Sequence, residues 1–530
     1  MKILKNIGKY AVLTSLSIAG FCLSNLQAQD LKSLDYLIEN AWVFDGTGGD
    51  SVQVDVGIYG ERIAFIGDFE DQVPVKQRID ANGLYLSPGF IDPHTHHTNR
   101  LNSANARTRA VLRCLTQGVT SIFIGSDGGG PLPLAPMFDQ WETNGIGVNA
   151  AAFVPHSTLR REIVGYADVE ATPEQLERMK NLVDLAMQEG AYGISTGLFY
   201  TPAFFASTEE VIELSKVVAK YGGIYDTHQR DEGSQNIGLK NSVEEVIEIG
   251  EKAGLPVHFS HIKVDGPELW GSSKEIIDII EAAQDRGIDV TANQYPYLAS
   301  RTSLSAALVP SWARDGGSAA MRRRFKDPET RTKILSEIKE TIKIRTGKPE
   351  GLYLSIPSDT SLNGKNIAEI AQAWKLSPEE TVVRILEDKA PLVHSFSMSD
   401  EDVNAFMQKP WVMTGSDGGG GHPRAFGTYA KLLSTYALDK HVISLSRAIQ
   451  RSSGQVAETF QIKDRGFIKE GYYADIVLFD PSKIKDRADY VKAARYPVGI
   501  PYVFVNGVLS IDQGKYTGGL AGKALRFKGE

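Results

Sequence analysis

The chain has 530 residues, 42% of them hydrophobic, with 57 basic against 65 acidic side chains and a formal net charge of −8. It is long enough to bury at least one large core, and its acidic balance argues against nucleic acid or an anionic membrane surface as a partner. With only Cys22 and Cys114, a disulfide-built scaffold is excluded.

The first residues, MKILKNIGKYAVLTSLSIAGFCLSNLQAQD, set Lys2, Lys5 and Lys9 ahead of an apolar stretch that ends at small Ala28. This is the layout of a secretory signal peptide over 1–28. The stretch is short for a membrane span, and Cys22 follows Phe21 rather than the small residue a lipoprotein signal requires. The expectation is an exported, periplasmic protein with no membrane attachment once the leader is removed. Removal takes away three lysines and no acid, so −8 becomes −11. It leaves Cys114, in AVLRCLTQG, as a small buried apolar residue on a helix.

Short β-rich runs punctuated by Gly, Asp and Asn follow in DYLIENAWVFDGTGG, VDVGIYGERIAFIGDF and RIDANGLYLSPGF, and the last seventy residues read the same way. Segments 29–87 and 462–530 are therefore expected to pair into one small β-sandwich domain. Between them, from 88 to 461, apolar runs alternate with helical patterns, as in GGIYDTHQRDEG before NSVEEVIEIGEKAG and PVHFSHIK before SSKEIIDIIEAAQDRG. Alternation over this length predicts an α/β protein with a (β/α)₈ TIM-like barrel. No GxGxxG or GK[ST] run supports nucleotide binding. Residues 299–352 exceed an ordinary strand-to-helix loop and read as an inserted, partly helical lid.

The chemistry gathers at the predicted strand ends. In LYLSPGFIDPHTHHTNR, His94 and His96 are two residues apart and so share one strand face, where both imidazoles can aim at a single metal ion. GGIYDTHQR supplies His228 and PVHFSHIK supplies His261. A lone histidine in an apolar strand is usually a satisfied core residue, but four at the working end of a barrel are not. His258 falls on the opposite strand face and is read as structural. The hexapeptide GSDGGG occurs twice, at 125–130 and 415–420, each time ending an apolar run with an Asp in a glycine turn. Neither copy is followed by the basic or hydroxyl partners a phosphate cradle needs. Together these residues describe a hydrolytic site: Zn²⁺ acidifies water, and one carboxylate takes the proton and returns it to the leaving amine. Asp127 is assigned to the metal and Asp417 to the proton relay.

These motifs, with HSTLR, GAYGISTGLFYTP, YPYLAS, MTGSDGG…HPRAFGTY and DRGFIKEGYYADIVLFD, resemble the amidohydrolase superfamily, specifically the N-acyl-D-amino-acid deacylases. The resemblance implies a (β/α)₈ barrel beside a small β-domain and a zinc centre with one tightly held ion and sometimes a second. It makes His94, His96, His228 and His261 metal ligands and Asp417 the general acid/base. Lys263 of SHIK and Tyr295 of QYPY would hold the substrate carboxylate, with Arg424 and Tyr200 as site neighbours. The chain departs from the family in three places. Asp127 stands where the deacylases carry a metal-binding cysteine, His97-Thr98 replaces an Asp pair, and Asn293 replaces an Asp. Relatives that open cyclic amides use a carboxylated lysine on the strand matching GAYGISTGLFY, which has no lysine here. The expected activity is hydrolysis of N-acyl-D-amino acids. The alternatives are a dipeptidase acting before a C-terminal D-residue, another exported amidohydrolase on linear or cyclic amides, and a non-catalytic periplasmic binder of acylated amino acids.

Overall fold

The computed structural model describes residues 32–529 apart from 72 and 357. The leader at 1–28 lies outside the described residues.

Five strands from the N-terminal side (Leu34–Val43, Val52–Tyr59, Arg62–Gly67, Val75–Asp80, Tyr85–Pro88) and four from the C-terminal side (Ile476–Phe479, Tyr502–Val505, Val508–Asp512, Lys515–Tyr516) form one nine-stranded sheet. The two halves meet where Tyr85–Pro88 pairs antiparallel with Ile476–Phe479. Tyr36 and Phe504 sit on strands three places apart in this sheet, about 14 Å in a flat one. Their rings nevertheless pack edge to face with centroids 5.1 Å apart. The sheet therefore folds over itself into a sandwich made of one continuous sheet, around Ile38, Val56, Ile58, Ile476, Leu478 and Phe504. The C-terminal segment does not stay in this domain. Beyond Tyr516 it crosses to the barrel, where Leu525 N–H donates to Ala150 O (2.8 Å) and Phe527 N–H to Gly190 O (2.9 Å).

The barrel has eight parallel strands: Phe90–Asp92, Val119–Ile124, Asn149–Ala152 running on into Val154–Pro155, Gly193–Gly197, Ile224–His228, Val257–Phe259, Val290–Gln294 and Val412–Thr414. A bridge between Thr95 and Gly418 closes the ring from first strand to last. The surrounding helices follow from local sequence. Thr172 and Gln175 form a reciprocal capping box at the start of Pro173–Gln188, whose buried Met179, Val183, Ala186 and Met187 fall at helical spacing. The helix His156–Ile163 is fixed by a buried charge cluster. His156 Nε2 lies 2.9 Å from Glu210 Oε1, and Arg160 pairs with the same carboxylate while donating to Pro202 O and Phe205 O at 3.0 Å. That cluster holds the turn after the fourth barrel strand, which carries Tyr200.

Between the seventh and eighth barrel strands the chain leaves the barrel for longer than 299–352. Ala299–Ser303, Leu352–Ser355 and Leu392–Phe396 form a separate three-stranded antiparallel sheet. With Pro328–Thr346 and neighbouring helices it encloses its own core of Leu304, Phe325, Ile334, Ile338, Val382 and Val393. The insertion is a folded subdomain reaching Phe396. No described helix is long and apolar enough to cross a membrane.

Candidate metal centre

His94 and His96 flank Thr95 just beyond the first barrel strand, His228 ends the fifth, and His261 lies two residues past the sixth. Asp127 and Asp417 stand in the turns after the second and eighth strands. Asp127, His261 and Asp417 have φ of 56°, 37° and 46°, a region L-residues seldom occupy. Such conformations persist only where surrounding structure imposes them, and they cluster at working sites. The glycine ahead of each Asp shows how the turn is imposed. A Cβ on Gly125 would meet Phe153 O at 2.6 Å, and one on Gly415 would meet Asn293 Oδ1 at 2.5 Å. Each GSDGGG run thus lets a strand end press against its neighbour and turn its Asp inward.

The six side chains form two groups that share Asp127: His94, His96, Asp127 and Asp417, and Asp127, His228 and His261. Asp127 Oδ1 lies 3.4 Å from His94 Nε2, 3.5 Å from His261 Nε2 and 3.8 Å from His228 Nδ1, while its Oδ2 lies 3.3 Å from His96 Nε2. Asp417 Oδ1 is 3.0 Å from His96 Nε2, and His228 Nδ1 is 2.9 Å from His261 Nε2. A tetrahedral ion with bonds of about 2.0–2.1 Å separates its ligand atoms by roughly 3.3–3.4 Å, so these spacings suit a divalent cation. Both ring nitrogens of His94 and Asp127 Oδ1 are buried without a hydrogen-bond partner among the described residues. Orphaned buried acceptors are costly unless a cation satisfies them.

The electrostatics agree. Burial disfavours the charged form of His96, yet Asp127 and Asp417 push it up to about 10. Burial raises the Asp127 carboxyl, but the imidazoles of His94, His261 and His96 override it and hold the group well below the usual range. Burial also opposes ionisation of Asp417, and Arg424, whose Nη2 is 2.7 Å from Asp417 Oδ2, leads the groups that depress its pKa. Burial pulls His228 down to about 4.

A narrow cavity of about 20 Å³ lies over this cluster, lined among others by Tyr200, Lys263, Tyr295, Arg301, Arg345 and Arg424. Tyr295 is 2% exposed, its hydroxyl has no partner among the described residues, and its ring lies 4.7 Å from the Arg424 guanidinium. The Tyr200 ring packs at a tilt against His228 with centroids 4.8 Å apart, and its hydroxyl accepts from Thr302 at 3.2 Å. All the site candidates from the sequence therefore meet in one place. His258 faces away, bonded to Thr291 (2.8 Å) and Asn293 (2.9 Å), and Cys114 is buried and free.

Four residues were not legible in advance. Buried Asp92 accepts from Ser416 N–H (2.9 Å) and His94 N–H (3.3 Å), tying the first strand to the last. Glu232 sits beneath His228, His261 and Lys263. Arg345 comes from the inserted subdomain and pairs with Asp265 at 3.1 Å. Arg301, also from the insertion, donates only to Ser355 Oγ (3.3 Å) and has no acidic partner within 4 Å among the described residues. Spacing to a strand end could have found Asp92, which closes the apolar run before His94. The other three depend on contacts between remote segments.

Residues 77–511 match the family model described as "Amidohydrolase family". A D-aminoacylase from Alcaligenes xylosoxydans xylosoxydans is 32% identical over 527 residues, covering 94% of this chain and 99% of that protein. A crystal structure of D-aminoacylase superposes with a TM-score of 0.80 at 32% identity, covering 93% of this chain and all of the other. The N-acyl-D-glutamate deacylase from Bordetella bronchiseptica, solved with zinc and a phosphonate mimic of the tetrahedral intermediate, superposes with a TM-score of 0.79 at 27% identity over the same shares.

Proposed function

Because this chain belongs to the amidohydrolase family and is a hydrolase of carbon–nitrogen bonds in linear amides, we propose that it deacylates N-acyl-D-amino acids at a zinc centre. The observation that carries this reading is the shared-carboxylate cluster with its orphaned acceptors, set beneath a cavity rich in cations. His94, His96, Asp127, His228 and His261 would hold one or two ions, with Asp417 adjoining the first pair. Bound zinc supplies a Lewis acid that polarises the acyl carbonyl and acidifies water.

The chain's own groups complete the reaction. The ionised Asp417 takes the proton as the water oxygen adds to the acyl carbon. It then delivers that proton to the nitrogen as the C–N bond breaks, giving a carboxylate and a free amine. Arg424 keeps Asp417 ionised, so the relay is a base at neutral pH. Lys263, Tyr295 and Arg424 face the cavity where the substrate carboxylate is fixed, and that fixing point sets which face of the α-carbon is presented. Tyr295 stays a neutral donor because burial raises its pKa well above the ordinary value.

Arg301 refines the substrate. Its guanidinium is half-buried, lies near Arg424 and has no acid within ion-pair distance among the described residues, and burial, more than the repulsion of Arg424, lowers its pKa to about 10 despite the pull of Asp417. An anion beside it would relieve both burial and repulsion, so we propose that substrates with a second carboxylate are preferred. A similarly folded relative, the N-acyl-D-glutamate deacylase, handles such a substrate. We also propose that residues 1–28 direct export, which the N-terminal sequence of protein recovered from the periplasm would check. The function itself is tested by amine release from matched N-acetyl-D and N-acetyl-L amino acids and from X-D dipeptides by the zinc-loaded protein. D-selective turnover of the acetyl compounds is expected. Turnover of dipeptides alone would reassign the enzyme as a dipeptidase, and none with metal bound would reject hydrolysis of these substrates.

A further inference from the structure

Glu232 belongs to none of the roles above, yet it touches three of the groups that fill them. It lies four residues past His228 in the loop after the fifth barrel strand and is 7% exposed. Its Oε1 accepts from Lys263 Nζ at 2.5 Å and lies 3.1 Å from His261 Nδ1, and its Oε2 lies 3.6 Å from His228 Nε2. The opposite nitrogens of the same rings, His261 Nε2 and His228 Nδ1, face Asp127. One carboxylate thus stands behind both imidazoles of the second ligand group and behind the lysine proposed to grip the substrate.

We propose that Glu232 is a positioning residue that orients His228 and His261 for the metal and sets the availability of Lys263 for the substrate carboxylate. The inference rests on the metal-hydrolase reading and deepens it. A ligating histidine offers one nitrogen's lone pair and keeps its proton on the other, and a carboxylate at that second nitrogen fixes the tautomer and the ring. With Nε2 of His261 given to a metal, Nδ1 must carry the proton, and Glu232 Oε1 is its acceptor. The same nitrogen now lies 2.7 Å from Lys263 Nζ. An ammonium can donate to Nδ1 only while that nitrogen is unprotonated, so the two arrangements exclude each other. Were His261 Nε2 to hold a metal, Lys263 could no longer donate to Nδ1 and would keep Glu232 and the cavity as its partners. The ligand set and the substrate anchor are coupled through one side chain.

The test uses full-length protein and measures metal affinity directly, by chelator competition with Zn²⁺ and by the visible spectrum of the Co²⁺-substituted protein. Glu232→Gln keeps the shape and removes the charge. It is expected to weaken the metal by about 10- to 100-fold and to shift the Co²⁺ bands. Lys263→Met removes a nearby cation and frees Glu232, so it is expected to leave metal affinity unchanged or to tighten it. Weakening confined to the Glu232 variant is the signature, because a merely structural loss would weaken both. At saturating metal, Glu232→Gln should change KM more than kcat. Should Glu232→Gln fail to fold, Glu232→Asp, which keeps the charge but shortens the reach, serves with a smaller loss expected. Metal affinity within threefold of wild type in a folded Glu232 variant would overturn the proposal. Normal metal behaviour with no turnover of any N-acyl-D-amino acid would instead overturn the functional reading.

Discussion

Asp417→Asn separates proton relay from metal binding. The amide keeps the size of the carboxyl and can still accept from Arg424 at the present 2.7 Å, while His228, His261 and Asp127 remain as one intact ligand group. What disappears is the base. General acid–base catalysis contributes roughly 10²- to 10⁴-fold, which at about 1.36 kcal/mol per decade raises the barrier by about 2.7–5.4 kcal/mol. The assay is kcat/KM for amine release from an N-acetyl-D-amino acid, with bound metal measured on the same samples. An ester analogue, an O-acetyl-D-2-hydroxy acid, sharpens it. An alkoxide leaves with far less help from a proton than an amine does, so the deficit of the variant should shrink on the ester. A variant within tenfold of wild type on the amide at equal metal content would refute the relay, as would an equal deficit on amide and ester.

Asp127→Ala should lower the bound metal, since both ligand groups share that carboxylate, whereas Asp127→Cys should retain it; elemental analysis of the purified proteins decides. Arg301→Gln should cost N-acetyl-D-glutamate about 1.5–3 kcal/mol, a charge-assisted bond or roughly 10- to 150-fold in kcat/KM. The neutral N-acetyl-D-glutamine should be almost unaffected, and equal losses on the two would remove Arg301 from substrate recognition. Burial pushes Asp92 up to about 6 from 3.8. Below 3.8 both folded and unfolded states are protonated. As pH rises towards 6 only the unfolded state ionises, so the metal-free protein loses about 3 kcal/mol of stability across that window. Asp92→Asn can still accept from Ser416 and His94, and should abolish this component, seen as a smaller fall in the melting temperature of chelator-treated protein between pH 4 and 7.

The barrel and the cluster of candidate metal ligands were legible in the sequence because their signals are local. Strand–helix alternation survives in any window of thirty residues, and each ligand closes an apolar run. Arg301, Arg345 and Glu232 were not, for one shared physical reason. Their placement comes from pairing across long separations. Arg301 stands opposite His394 in an antiparallel ladder, and that ladder lies inside a segment whose helices look like those of the barrel. The end of the insertion was missed for the same reason, since an antiparallel return to the barrel mouth leaves no mark in periodicity. The C-terminal crossing to Ala150 and Gly190 likewise relies on backbone hydrogen bonds that carry no side-chain signature.

The charges around the cavity explain why those missed residues matter. Lys263 has Glu232, Arg345 has Asp265 and Arg424 has Asp417, so three of the cations lining the site are neutralised within the protein. Charges already paired in the folded protein need little reorganisation when the substrate arrives, and they can be lent without being created. Arg424 already has this arrangement, with Nε and Nη1 buried and without a hydrogen-bond partner among the described residues while Nη2 stays on Asp417. It can grip a carboxylate without releasing the relay. Among the described cations lining the cavity, Arg301 alone has no ion-pair partner within 4 Å, so it is the group whose environment would improve most when an anion binds. The proposed selectivity for a second carboxylate would then follow from the imbalance of a single guanidinium, and the proposed catalysis from the balance of the other three.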